Sequence, residues 1–188
     1  MRRSPLSLAA ASVAWLGYFF LAAPSLIIVP MSFSASDELV FPPRGLSLHL
    51  YELYFFASTW MAATAESLIV ALGTVVVSLV LGVAAAYGLS RTDFPGKGLI
   101  AMFLLSPAFV PAIVLALGLY LYLGVVRLSG TTLALIISHS LVAIPFVLVT
   151  TMAGLRHVDR NLETAATVMG AGRLLVLRRV TLPLLAPT

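Results

Sequence analysis

The sequence has no cysteine among its 188 residues. That absence excludes a disulfide framework, a Cys-ligated zinc site, an iron–sulfur cluster and a thiol nucleophile. Charge is scarce too: Asp, Glu, Lys and Arg make up 10% of the chain, against about 25% in soluble globular domains. So little charge excludes a disordered tail, a collagen-like chain and most classes of soluble enzyme. What is present instead is apolar. Hydrophobic residues account for 61%, against about 45–50% ordinarily, and lipid must solvate most of that surface.

Four stretches carry no charged side chain at all: residues 4–36, 67–90, 98–126 and 128–155. Each exceeds the roughly 20 residues with which a helix crosses a hydrocarbon core. A charge at mid-bilayer costs several kcal/mol, so successive gaps of this length mark membrane spans. The spacing predicts helices near 8–31, 66–89, 99–123 and 132–155, an all-α integral membrane protein with about four transmembrane helices. With the N-terminus in the cytoplasm, Arg2, Arg3, Arg91, Lys97, Arg156, Arg160, Arg173, Arg178 and Arg179 fall inside, and only Arg44 and Arg127 outside. Nine of eleven basic residues inside obeys the positive-inside rule. The basic residues are not interleaved with stacking aromatics, so no nucleic-acid surface is expected.

Arg2 and Arg3 ahead of an apolar run look like a signal peptide, but the run exceeds an h-region of about 7–15 residues and reads as a retained anchor. Residues 1–33 are thus the cytoplasmic tip and first span, and 34–65 an outer loop holding Asp37, Glu38 and an aromatic group (Tyr51, Tyr54, Phe55, Phe56, Trp60) suited to the interface. Residues 66–188 form the remaining membrane domain, ending in a cytoplasmic segment, 156–188. Within the spans, Pro107, Pro111 and Pro145 are expected to kink their helices. Gly73, Gly82, Ala86 and Ser90 put small residues near one face of the second span. Glu66 is expected at that helix's N-terminus, favoured by the dipole, and His139 needs a partner for its ring N–H.

Catalytic motifs fail one by one. Gly96–Lys97 lacks the P-loop's earlier Gly (Arg91 stands there) and its following Ser or Thr (Gly98). Residues 45–49 lack the final Gly of a nucleophile elbow. No HExxH and no paired carboxylates occur, so no metal, cofactor or catalytic residue is expected in this chain.

The segment from Arg156 onward reads as a short helix–turn–helix. Asp159 or Asn161 caps its first helix, with Glu163 in the first turn. Leu162, Ala165, Ala166 and Met169 recur at helical spacing as one small apolar face. Gly170 and Gly172 end the helix, and a second helix runs from Arg173 to Val180, ending near Pro183. Such a unit suits either a groove in a partner protein or the membrane surface.

Glu163-Thr164-Ala165-Ala166, Gly170, Val180 and Leu182-Pro183 resemble, at matching spacing, the E-A-A-x3-G-x9-I-x-L-P loop of binding-protein-dependent ABC transporter permeases, with Thr164 in place of Ala and Val180 in place of Ile. The likeness extends upstream through Glu66-Ser67-Leu68, Ala85 to Arg91, Pro107 to Pro111, and His139 to Phe146. It implies a polytopic bundle of the MetI-like permease fold in a bacterial inner membrane, most similar to the spermidine/putrescine, ferric iron, thiamine and phosphonate group. The resemblance implies that Glu163, Thr164, Ala165, Ala166, Gly170, Ala171 and Pro183 couple the chain to a cytoplasmic ATPase dimer that carries the ATP and magnesium. It further implies a second permease subunit and an extracytoplasmic substrate-binding protein as partners, besides membrane lipid. Family members continue with two more membrane helices after this loop, so the 188 residues are expected to be incomplete at the C-terminus. The competing expectation is a non-transporting membrane adaptor whose basic loop binds partners.

Overall fold

The computed structural model describes residues 5–36, 38 and 40–185. Arg2, Arg3 and Asp37, assigned sides above, lie outside the described residues. Helices dominate: α1 (Pro5–Met31), α2 (His49–Phe56), α3 (Ser58–Arg91), α4 (Lys97–Leu105), a 3-10 turn (Ser106–Phe109), α5 (Ala112–Val125), α6 (Thr132–Leu155), α7 (Arg160–Val168), α8 (Arg173–Val176), a π-helical turn (Leu177–Thr181) and α9 (Leu182–Leu185). The chain forms two compact units, Met1–Ala65 and Glu66–Thr188.

In the first unit, α1 is apolar around its whole circumference, as lipid exposure requires. The loop after it is clasped by backbone bonds from Ala35 N–H to Gly45 O (3.0 Å) and Ser47 N–H to Phe33 O (2.7 Å). The aromatic residues expected in a loop lie mostly on α2. There Tyr51 meets Ser32 Oγ through its hydroxyl at 2.8 Å and the Phe33 ring at 5.4 Å.

In the second unit, α3 packs on α6 through the glycines singled out above. A Cβ on Gly73 would come within 2.5 Å of the Ile136 side chain, and one on Gly82 within 2.6 Å of Val147. Only glycine permits so close an approach, and small-residue faces are how helices associate where lipid removes the hydrophobic drive. Ala86, Leu89, Leu148 and Leu155 form the buried core, with Ala101, Leu104 and Leu105 of α4 packed against it.

Three single helices are long and apolar enough to cross a membrane: Ala11–Met31, Thr59–Arg91 and Thr132–Leu155. The expected third span is different. Residues 97–109 and 112–125 satisfy the criterion only as a pair, bent by 105°. Val110 is extended (φ −83°, ψ 131°), as the residue before a proline prefers, and continuing the helix would drive the Pro111 ring into the carbonyl of Pro107, four residues back. Pro107 sits in the first turn of the 3-10 segment, where no N–H is needed. Pro145 behaves otherwise. It is fully buried within α6, which runs unbroken through it.

One further expectation changes and another is met. Glu66 does not open a helix, because α3 starts eight residues earlier at Ser58; its carboxylate instead accepts a hydrogen bond from Thr132 Oγ1 at the start of α6. His139 finds its partner within its own helix, Nδ1 donating to Leu135 O at 2.8 Å.

Candidate functional site

The segment resembling the permease loop is built around one buried carboxylate. Asp159 caps α7, its side chain accepting from Asn161 N–H at 2.9 Å. One turn later Glu163 is only 8% exposed. A lone buried carboxylate would cost several kcal/mol, and here every oxygen is met. Arg91 Nε donates to Glu163 Oε2 at 2.7 Å, Arg91 Nη2 to Oε1 at 3.2 Å, and Thr181 Oγ1 to Oε1 at 2.8 Å. The same Nη2 also reaches Leu155 O (3.3 Å) and Val158 O (3.5 Å), beyond the last turn of α6. The planar guanidinium fork suits this two-pronged recognition as an ammonium could not. One ion pair thereby ties α3, the end of α6, α7 and the π-helical turn together.

The exit from α7 is equally specific. Gly170 adopts φ 90°, its N–H bonding Thr167 O (3.0 Å), while Ala171 N–H reaches back to Ala166 O (3.0 Å). These two bonds make a Schellman motif with glycine in the left-handed position. A Cβ there would meet open space, so the demand for glycine is conformational alone.

The other expected residues separate by exposure. Ala166 is buried with Glu163, one turn apart. Thr164 and Ala165 are exposed, and Thr164 Oγ1 donates to Arg160 O at 3.0 Å. Ala171 is half-buried and Pro183 exposed. Of the expected small apolar face, Ala166 is buried while Leu162, Ala165 and Met169 are exposed; Arg91 draws Glu163 inward and so sets which side of α7 faces the spans. Val168 and Met169 are 82% and 81% exposed, and Leu162 and Leu174 are also open.

The second helix runs through α8, the π-helical turn and α9 to Leu185, two residues past Pro183. Leu182 N–H bonds Leu177 O, five residues back, and this wider turn relieves the clash that a proline ring makes with an α-helical carbonyl. Leu185 then packs against Gly154 of α6, where a Cβ would come within 2.8 Å of it.

Sequence reasoning missed Arg91 and Thr181 as site residues. The available signal was position: Arg91 is the charge that ends a span, and Thr181 lies inside the matching loop pattern. Among the described residues no group of three His, Asp or Glu is placed to hold a metal ion.

Comparison with known proteins places the segment in a family. Residues 78–188, which include the whole site, match the family described as "Binding-protein-dependent transport system inner membrane component". The chain is 30% identical over 170 residues to the spermidine/putrescine transport system permease protein PotC of Haemophilus influenzae, covering 90% of this chain and 66% of the relative. It is 33% identical over 132 residues to a probable molybdenum ABC transporter permease protein of Haloferax volcanii (66% and 49% covered). It is 31% identical over 163 residues to the trehalose transport system permease protein SugB of Mycobacterium tuberculosis (87% and 59% covered). The chain thus spans from about half to two thirds of the length of these relatives. With more than half of its residues in the family match and relatives of this identity across most of its length, the chain belongs to the family of binding-protein-dependent transport system inner membrane components.

Proposed function

We propose that the chain acts as the permease subunit of an ATP-binding-cassette importer and is not itself an enzyme. In this reading residues 160–185 receive motion from a cytoplasmic ATPase dimer and pass it to the spans. The observation that carries it is the clamp at Glu163. A force on α7 reaches α3 through Arg91 and the end of α6 through the same guanidinium, so the helix and two spans move as one body. The side of α7 away from the clamp is free to be touched: Thr164 and Ala165 are small, and Val168 and Met169 project almost fully. A small, partly apolar helix surface of this kind fits a groove in a partner.

The positive-inside distribution supports a cytoplasmic side for that surface and for the N-terminus, with residues 97–125 counted as one broken crossing. A second permease subunit and an extracytoplasmic binding protein complete the proposed assembly. The relatives named above carry different substrates in their names at nearly equal identity, so the substrate follows from the binding protein, not from this chain.

The test is copurification of the ATPase with the membrane-inserted chain. Met169→Asp and Gly170→Asp should each reduce ATPase recovery at least several-fold while membrane insertion persists. Equal recovery with both variants rejects the coupling role and leaves a non-transporting adaptor.

A further inference from the structure

We infer that the cleft between the Arg91 end of α3 and the Leu155 end of α6 binds the phosphodiester headgroup of an anionic phospholipid. The cleft has a volume of about 640 Å³, and its lining combines the apolar Leu89, Met152 and Leu155 with the basic Lys97, Arg156 and Arg160 and the acidic Asp159. Leu89 and Met152 lie inside the segments that qualify as spans, Thr59–Arg91 and Thr132–Leu155; Arg156 lies just beyond the second, and Lys97 is the first residue of the bent pair 97–125. A lining that is apolar within the spans and basic at their ends matches a lipid, chain against the first part and headgroup against the second. Basic pockets between helices at this depth are where anionic headgroups are held.

The hydrogen bonds leave donors free for it. Arg91 is committed to Glu163. Arg160 uses Nη2 on Ser90 O at 2.8 Å and keeps its other donors. Among the described residues, the Arg156 guanidinium has neither ion pair nor hydrogen bond, and it is exposed. The charge count is also selective. Arg91, Lys97, Arg156 and Arg160 line the cleft together with Asp159, and Arg91 and Lys97 are paired with Glu163 and Asp93, four cations against three carboxylates. One excess positive charge complements a phosphodiester monoanion better than a phosphate dianion. This inference requires only that the helices span, and stands apart from the coupling role of α7.

The experiment places the full chain in phosphatidylcholine nanodiscs containing a photoactivatable phosphatidylglycerol and measures labelling of the peptide that holds Arg156. Labelling should fall about 30-fold in the Arg156→Gln/Lys97→Gln double variant, as expected from losing two basic contacts at a membrane surface. Arg156→Lys in a Lys97 background should retain most of it, and photoactivatable phosphatidylcholine should label wild type and variant equally weakly. Unchanged labelling in the double variant overturns the proposal. So does competition by inorganic phosphate as effective as competition by unlabelled phosphatidylglycerol, since that assigns the cleft to a soluble anion.

Discussion

Two ion pairs form where α3 gives way to the turn before α4, from cations six residues apart, and they are built in opposite ways. Arg91 and Glu163 are about one-tenth exposed (11% and 10%), 72 residues apart in sequence, and surrounded by further bonds to Thr181 and to two carbonyls. Lys97 and Asp93 lie four residues apart across the turn before α4, at 3.0 Å, with the Asp93 side chain 98% exposed. The first pair holds four elements together, and the second decorates a turn that would form without it. Burial makes the difference. Water screens an exposed pair almost completely, whereas a buried charge deprived of its partner has nothing to replace it.

The largest effect should come from breaking the buried pair on one side. Glu163→Ala leaves the Arg91 guanidinium enclosed and uncompensated, and thermal unfolding in nanodiscs should report a loss of about 3–5 kcal/mol. Removing both charges with Arg91→Leu/Glu163→Leu should recover most of that loss; a double variant no better than the single would show that the pair matters for more than mutual neutralisation.

Arg91→Lys keeps the charge but abandons the fork and the carbonyls of Leu155 and Val158. It should cost about 2 kcal/mol, on the order of one charge-assisted hydrogen bond. Limited proteolysis between α7 and α9 is a second readout, since those carbonyls anchor the start of the segment.

Thr181→Val takes away the third donor to Glu163. The carboxylate keeps Arg91, so the loss should be smaller, about 1.5 kcal/mol, seen as a lower Tm with unchanged membrane insertion.

Asp93→Asn should leave Tm unchanged. The Lys97 ammonium, by hydrogen bond and then by charge, holds the Asp93 carboxyl below its usual range. A lowered carboxyl contributes only while ionised. Its contribution is therefore complete at neutral pH and lost only as pH falls through that lowered value, beneath the ordinary 3.8. Lowering pH from 7 to 5 should not shift the Asp93 carboxyl resonance in an NMR titration, and added salt should abolish what interaction exists. A clear Tm drop in Asp93→Asn would erase the contrast between the two pairs.

Much of this was readable before any coordinates. The charge-free stretches located the spans because crossing a bilayer depends on summed local desolvation. Gly73 and Gly82 marked the close face of α3 because small residues permit only that use there. The loop spacing foretold Gly170, whose positive φ follows from a helix that must end in place. The burial of Glu163 was not readable, since helical periodicity says which residues of α7 share a side but not which side is covered. Nor did the prolines declare themselves: Pro111 stands at a break, as the N-cap of α5, and Pro145 sits within a helix, although each lacks the same N–H.

The sequence by itself determined that this chain lives in a membrane, that it is helical, roughly where three of its four expected spans run and which loop carries the permease pattern. Those properties add up residue by residue along a local stretch, so no partner is needed to compute them. Only the tertiary structure decided that Arg91 meets Glu163, that Thr181 completes the carboxylate's shell and that a basic cleft opens between α3 and α6. Each of those depends on where separate helices come to lie, and a charge that is harmless in water becomes a constraint only when packing has taken the water away.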